Sequence, residues 1–107
     1  MKGFGDLVKQ AQEFQEKLEK IQAELAEARV EGSAGGGMVK AVANGKQEII
    51  GLKIEAEVVN PDEVAMLEDL ILAALAQARE KAALLSQEKM ATLTGGLKIP
   101  GLPGLGL

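Results

Sequence analysis

The segment "MVKAVANGKQEIIGLKIE" (residues 38–55) decides the fold, because its alternating apolar residues predict two β-strands joined by a tight turn. Asn44 and Gly45 favour a two-residue type I′ turn, in which both central residues need a positive φ. Such a turn pairs Ala43 with Lys46. One face of this hairpin is then apolar and carries Val39, Ala41, Ala43, Ile50, Leu52 and Ile54. The other face carries Lys40, Val42, Gln47, Ile49 and Lys53, whose two lysines we interpret as solvating charges.

The glycine-rich segment "GSAGGG" (residues 32–37) lies just before the hairpin and ends the helical pattern that precedes it. Residues 29–34 are a candidate third strand at the edge of the sheet. Glycines also cradle phosphate in P-loops, but there a Lys and a Ser or Thr follow the glycines directly. Here Met38 and Val39 follow, so a strand connection is the favoured interpretation.

Upstream, residues 6–31 contain neither glycine nor proline and are rich in Lys, Glu and Gln, which are good helix formers. An apolar seam with alternating spacings of four and three residues predicts one long amphipathic helix. The seam consists of Leu7, Ala11, Phe14, Leu18, Ile21, Leu25 and Ala28. At about 1.5 Å per residue, this helix is roughly 38 Å long.

Downstream, Asn60 and Pro61 predict the start of a second helix, with Asn60 as its cap, and the pattern continues to about Lys89. Apolar residues surround this helix on most sides, which is typical of burial on more than one side. One side covers the sheet and the other needs a partner, so the sequence predicts a homodimer with protruding helical arms. The predicted core and dimer interface contains Phe14, Leu18, Leu67, Leu70, Ile71 and Leu75.

Composition narrows the function. The 107 residues include no histidine and no cysteine, and the net charge is −4 with a pI of about 4.9. These features give no metal site, cofactor site or disulfide, and no nucleophile beside a base, so we predict that the protein is not an enzyme. The longest uncharged stretch has nine residues and no signal peptide is present, which favours a soluble cytoplasmic protein. We predict one domain, residues 1–89, and a flexible Gly/Leu/Pro-rich tail, residues 90–107.

The lysines offer the one candidate binding surface. Lys2 and Lys9 share a face near the positive end of the first helix dipole. If the two helices are antiparallel, the cations near the end of the second helix gather at the same tip, namely Arg79, Lys81 and Lys89. The alternative interpretation is a solvated face of mixed charge, since the net charge of residues 1–20 is zero.

Four segments together resemble the YbaB/EbfC family of bacterial nucleoid-associated proteins: "LVKQAQEFQEKLEKIQAEL", "VEGSAGGGMVKAVANGKQEI", "EVAMLEDLILAALAQAREKA" and "SQEKMATLTGGLKIPGLPGL". The resemblance covers nearly the whole chain. It implies an α+β fold with an α-β-β-β-α protomer, in which two long helices flank a small antiparallel meander, and a tweezer-like homodimer. It also implies binding to double-stranded DNA by the protruding helices, mainly through backbone and shape contacts, with effects on nucleoid organisation and gene expression.

The resemblance carries DNA contacts over to a set of basic and amide side chains: Lys2, Lys9, Gln10, Gln12, Arg79, Lys81 and Lys89. It implies no membrane and no small-molecule substrate. A second hypothesis of a different class is a protein-interaction or holdase-like module without a DNA role. Paired helical arms, an acidic surface and leucines near the C-terminus suit the gripping of a polypeptide equally well.

Overall fold

The computed structural model of the protein describes residues 2–94, and the side chains of residues 3–93. Helix α1 (Lys2–Glu27) is followed by strands β1 (Val30–Ala34), β2 (Val39–Ala43) and β3 (Ile49–Ile54). A short 3-10 helix (Ala56–Val58) then leads to helix α2 (Val64–Thr94). The predicted α+β fold with α-β-β-β-α order is confirmed. Helix α2 continues past Lys89, and residues 95–107 of the proposed tail lie outside the described residues.

The three strands form one antiparallel sheet in the order β1-β2-β3, which is a meander. The candidate third strand is confirmed as β1, since Val30 pairs with Ala43 and Ala34 pairs with Val39. β1 and β3 are therefore the two edges of the sheet. Each of these edges needs its outward backbone groups satisfied by something other than a fourth strand of the same protomer.

The predicted hairpin turn is wrong. Ala43 pairs with Ile49 instead of Lys46, and a bulge follows Val42. Among residues 44–48, Gln47 has the positive φ, at 67°, so Gly45 does not occupy a type I′ position. The reason is the Asn44 side chain, whose Oδ1 accepts hydrogen bonds from the backbone N–H groups of Lys46 (2.9 Å) and Glu48 (3.1 Å). This Asx-type arrangement makes the loop longer than a two-residue turn.

The core lies between α2 and the inner face of the sheet. Val39, Ala41 and Ala43 are fully buried against a stripe of alanines on α2, namely Ala74, Ala78 and Ala82. Gly32 of β1 lies so close to this stripe that a Cβ atom would overlap the Ala74 carbonyl oxygen and the Ala78 nitrogen. Small side chains on both elements therefore allow the helix and the strand to approach each other closely.

Four apolar residues of α2 are half-buried side chains that pack against this core: Leu67, Leu70, Ile71 and Leu75. Helix α2 covers mainly β1 and β2, so β3 is left partly uncovered. Leu52 shares the face of its partner Ala41, yet it is 47% exposed. The bulge also exchanges two isoleucines relative to the prediction, since Ile49 packs on the core and Ile50 is exposed.

Within residues 2–94, helix α1 contacts the other elements near its C-terminal end. Ile21 and Leu25 are buried against Leu93, and Leu18 and Leu85 pack around them. The two helices are therefore antiparallel, which meets the condition set for a shared basic tip. The Gly45 N–H donates a 2.7 Å hydrogen bond to the Leu25 carbonyl, which satisfies one acceptor at the end of α1.

The start of α2 differs from the prediction. The Asn60 side chain accepts the N–H of Asp62 at 2.9 Å, and the Glu63 N–H bonds to the Asn60 carbonyl at 2.9 Å. Asn60 therefore caps a turn that precedes the helix, and α2 itself begins at Val64. The Asn60–Pro61 dipeptide nevertheless forms a turn between β3 and α2, as expected for an Asn-Pro dipeptide.

The protomer is strongly elongated. Its radius of gyration is 19.9 Å and its extents are 73 × 27 × 16 Å. A compact domain of this length has a radius of gyration of roughly 13 Å. The extension arises because α1 and α2 overlap only near Ile21 and Leu93, so that each helix projects beyond the other. This shape fits one half of a tweezer-like outline.

Candidate nucleic-acid interface

The α1 arm (residues 3–17) is exposed along its whole length and projects beyond the end of α2. Lys9, Gln10 and Gln12 lie on this arm, and Lys9 stands on the side opposite to the seam that contains Leu7 and Phe14. In the described part of the chain no carboxylate forms an ion pair with Lys9. Its ammonium group is thus available to an external anion. The Lys2 side chain lies outside the described side chains.

Lys81 is exposed to solvent and also contacts the sheet. Its Nζ donates a 2.8 Å hydrogen bond to the Glu31 carbonyl of β1. One helical turn earlier, Gln77 Oε1 accepts the Ser33 N–H at 2.8 Å. The two side chains therefore satisfy backbone groups on the outer edge of β1, which would otherwise be open to pairing with another strand. No sequence pattern predicts this contact, because Lys81 and Glu31 are 50 positions apart.

Lys89 forms an ion pair with Glu24 of α1, with 3.9 Å between Nζ and Oε2. Both side chains are about 40% exposed, so the pair contributes at most about 1 kcal/mol to stability. Its main effect is that the Lys89 ammonium group is already paired with a carboxylate at the junction of the two helices. Arg79 remains exposed on α2 near the sheet.

The structure does not bring the predicted cations together at one tip. From the helix junction at Ile21 and Leu93, Lys9 lies in one direction and Lys81 in the other. At about 1.5 Å per residue each distance is roughly 18 Å, so the two lysines are roughly 36 Å apart along the long axis. The prediction of a shared basic tip within one protomer is wrong, because the helices overlap only at their ends.

Two further lysines were interpreted from the sequence as solvating charges, yet they lie side by side. Lys40 of β2 and Lys53 of β3 are direct cross-strand partners on the face of the sheet away from α2. Ser33 of β1 pairs with Lys40 on the other side, so that the three residues form one row across the sheet. The predicted register paired Lys40 with Ile49, and this is why the sequence did not show the pairing.

One acidic segment without any cation lies at the opposite end of the molecule from the α1 arm. The segment of residues 55–69 joins β3 to the first turns of α2 and contains no lysine or arginine. Its acidic side chains are all exposed: Glu55, Glu57, Asp62, Glu63, Glu68 and Asp69. A polyanion is repelled from this region, whereas residues 1–20 have no net charge and carry lysines among their acidic residues.

Residues 2–94 offer little for other chemistry. They contain no group of three or more acidic, histidine or cysteine side chains with the geometry to hold a metal ion. In the same range, neither helix has a stretch that is apolar enough to cross a lipid bilayer.

The elongated α-β-β-β-α arrangement with an exposed helical arm defines a class of fold that is also found in a solved structure. An uncharacterised protein of Helicobacter pylori superposes with a TM-score of 0.70 over 88% of this chain and 95% of that one, at 17% sequence identity. This likeness concerns the fold alone.

Residues 1–97 match the YbaB/EbfC DNA-binding family, and the chain belongs to that family. A nucleoid-associated protein of Caldanaerobacter subterraneus subsp. tengcongensis is 52% identical over 92% of this chain and 89% of the relative. A nucleoid-associated protein of Rhodopseudomonas palustris is 48% identical over the full length of both chains. A third, from Dictyoglomus thermophilum, is 52% identical over 98% of this chain and 99% of the relative. The family resemblance predicted from the sequence is confirmed.

Proposed function

We propose that this protein is a homodimer that binds double-stranded DNA through its projecting helices, mainly by contacts to the phosphate backbone. The observation that carries the proposal is the exposed α1 arm, on which Lys9 has no ion pair within the described residues. Family membership and the names of the relatives support DNA as the partner. In this proposal the protein acts on the nucleoid in the cytoplasm and affects nucleoid organisation and gene expression.

The mechanism depends on the placement of individual cations, because residues 1–20 have no net charge. The acidic segment of residues 55–69 faces away from DNA, while the arms of the two protomers present Lys9 with Gln10 and Gln12. Such contacts neutralise few phosphates and read no base edges, so the affinity depends on backbone and shape. The logarithm of the binding constant then falls with the logarithm of salt concentration, with a slope of roughly −0.9 per neutralised phosphate.

Charge reversal at the arm is expected to weaken DNA binding. Lys9→Glu should lower the affinity for a duplex of about 30 bp roughly tenfold at low salt and make the salt slope shallower by about one per protomer. Fluorescence anisotropy of a labelled duplex at two salt concentrations measures both quantities. Because Lys9 is exposed and unpaired, the thermal midpoint should not change.

The matched control is Lys46→Glu, which makes the same charge change at an exposed loop far from the arm. Its affinity should stay within about twofold of the wild type, since a single remote charge is screened beyond about 10 Å. Equal losses in the two variants would show that total charge decides binding, and the arm contact would then be discarded.

The proposed homodimer is supported by the small core of a single protomer. Large apolar side chains remain exposed on α1, β3 and α2, among them Phe4, Phe14, Ile50, Leu52, Met66 and Leu72. Exposed apolar surface on this scale is typical of an interface. We propose that the uncovered side of α2 and the α1 seam at Phe14 and Leu18 form the dimer contact.

Leu72 tests this interface, since it is 64% exposed and the protomer fold does not depend on it. Leu72→Glu is expected to shift the protein from dimer to monomer at micromolar concentration, because two charges would be desolvated in a two-fold contact. Light scattering coupled to size-exclusion chromatography gives the mass. Lys46→Glu in the exposed loop between β2 and β3 is the control, and its mass should stay that of the dimer. A dimeric Leu72→Glu variant would refute this location of the interface.

The holdase-like alternative draws on the same exposed seam, since Phe4 (70% exposed) and Leu7 suit the binding of an unfolded chain. It differs from the DNA hypothesis in its response to charge. Suppression of client aggregation that persists in Lys9→Glu, together with no DNA binding by the wild type at low salt, would favour this alternative.

A further inference from the structure

The outer face of the sheet carries a lysine row that neither α1 nor α2 covers in the described part of the chain. The row consists of Ser33, Lys40 and Lys53, which are exposed and aligned by the strand register. Alternation along β2 places Lys40 opposite to the buried Val39 and Ala41, so the row points away from α2. The neighbouring turn is built from glycines, and a side-chain atom added at Gly37 would lie 3.7 Å from the Lys40 Cε. The three glycines of that turn therefore contribute no side chain that could shield the row, and Met38 at its end is half-buried.

The direct pairing of Lys40 with Lys53 is unfavourable for the protomer by itself. Cross-strand partners have Cα atoms about 5 Å apart, and like charges in this position destabilise a sheet. Acidic groups near the row are Glu31, which is diagonal to Lys40, and Glu55, which follows Lys53. Neither carboxylate forms an ion pair with Lys40 or Lys53 in the described residues. The ion pair found there joins Lys89 to Glu24. The repulsion between the two ammonium groups is thus left uncompensated within the described protomer.

We propose that Lys40 and Lys53 form a second phosphate-binding site, which holds the phosphodiester backbone of duplex DNA on the outer face of the sheet. The inference rests on the proposed DNA-binding function and adds a contact that is remote from the α1 arm. The two ammonium groups are hydrogen-bond donors only, and the Ser33 hydroxyl can also donate. All three groups can therefore donate to one anion. A phosphate placed between the lysines converts their mutual repulsion into two attractions.

The lysines of the protomer differ in whether they already have a partner. Lys81 is bound to the Glu31 carbonyl and Lys89 is paired with Glu24, so both are already engaged. Lys40 and Lys53 have no such partner among the described residues. A duplex that contacts the arm through Lys9 and the sheet through this row would be held at two separate points of one protomer.

The test uses Lys40→Glu and Lys53→Glu in the full-length protein, each of which turns the like-charge pair into an opposite-charge pair. Both variants are expected to bind a labelled duplex of about 30 bp at least fivefold more weakly than the wild type, with a shallower salt slope. Both are also expected to unfold at a higher temperature than the wild type, because the repulsion is removed. Lys40→Arg should keep the wild-type affinity.

The control is again Lys46→Glu, which should bind within about twofold of the wild type. Wild-type affinity in Lys40→Glu or in Lys53→Glu would overturn the inference and leave the proposed function intact. A loss in Lys46→Glu equal to that in Lys40→Glu would overturn it too, as would a lower thermal midpoint in either row variant. No binding by the wild type at low salt would overturn the DNA function together with the row.

Discussion

Replacement of Gly32 by alanine is expected to lower the free energy of unfolding by roughly 3 kcal/mol or more, because the added Cβ has no space. It would overlap the Ala74 carbonyl oxygen and the Ala78 nitrogen and would lie 3.0 Å from the Ala78 Cα. All three are backbone atoms of α2, so no side-chain rotation relieves the overlap. Helix α2 must move away from β1, and the packing of the buried alanine stripe is lost along with it.

Thermal unfolding followed by circular dichroism measures this effect, and the midpoint should fall by more than about 10 °C. Wild type and variant are compared at equal protomer concentration, because dimer formation makes the midpoint depend on concentration. The matched control is Gly51→Ala in β3, where the new Cβ would lie 3.6 Å from the Val42 Cβ, an ordinary contact. This control should be as stable as the wild type or more stable, because alanine loses less conformational entropy on folding than glycine does. A Gly32→Ala protein as stable as the control would mean that α2 is not packed on β1 as closely as described.

The element types were predictable from the sequence because they depend on local pattern. The seam from Leu7 to Ala28 has helical spacing, and the alternation around Val39 and Ala41 has strand spacing. The predicted faces of β2 also survived an incorrect register. Val39 pairs with Ile54 instead of Ile50, which is a shift of four residues, and an even shift keeps the side chains of β2 on their predicted faces.

The loop between β2 and β3 was not predictable because its conformation depends on a distant helix. Asn44 and Gly45 are typical of a two-residue turn when they are considered alone. In the folded protein the Gly45 N–H is bound to Leu25, and Asn44 is buried with its side-chain amide bonded to the Glu48 carboxylate at 2.7 Å. The resulting bulge decides which isoleucine enters the core, and it also brings Lys40 and Lys53 into register.

The candidate site was predictable only in part, for the same reason. The sequence indicated lysines on one face near the start of the first helix, and a shared tip with the second helix only if the two helices are antiparallel. It did not indicate how far they overlap, and this offset separates Lys9 from Lys81. The offset depends on the contact of Leu93 with Ile21 and on the anchoring of Leu25 by Gly45, which are both tertiary contacts.

The anchoring contact leads to a prediction for Gly45→Ala. An added Cβ would lie 2.6 Å from the Leu25 Cδ2 and 2.9 Å from both the Leu25 Cα and its carbonyl oxygen. The φ of Gly45 is not positive, so the alanine backbone itself is unstrained and the cost is purely steric. We expect a loss of roughly 2 kcal/mol in the free energy of unfolding, since the Leu25 backbone has to retreat and its 2.7 Å hydrogen bond is lengthened.

The effect should be local to the end of α1, which distinguishes it from general destabilisation. Hydrogen exchange of the amides in the last turn of α1, such as the Ala28 N–H bonded to Glu24, should become faster in Gly45→Ala. Lys46→Ala in the same loop is the control, because its side chain is exposed, and it should exchange like the wild type. Because this contact fixes the angle at which the α1 arm leaves the sheet, DNA affinity should fall in Gly45→Ala even though no cation is changed. Unchanged exchange in α1 would show that the arm is held in place by the contact of Leu93 with Ile21 alone.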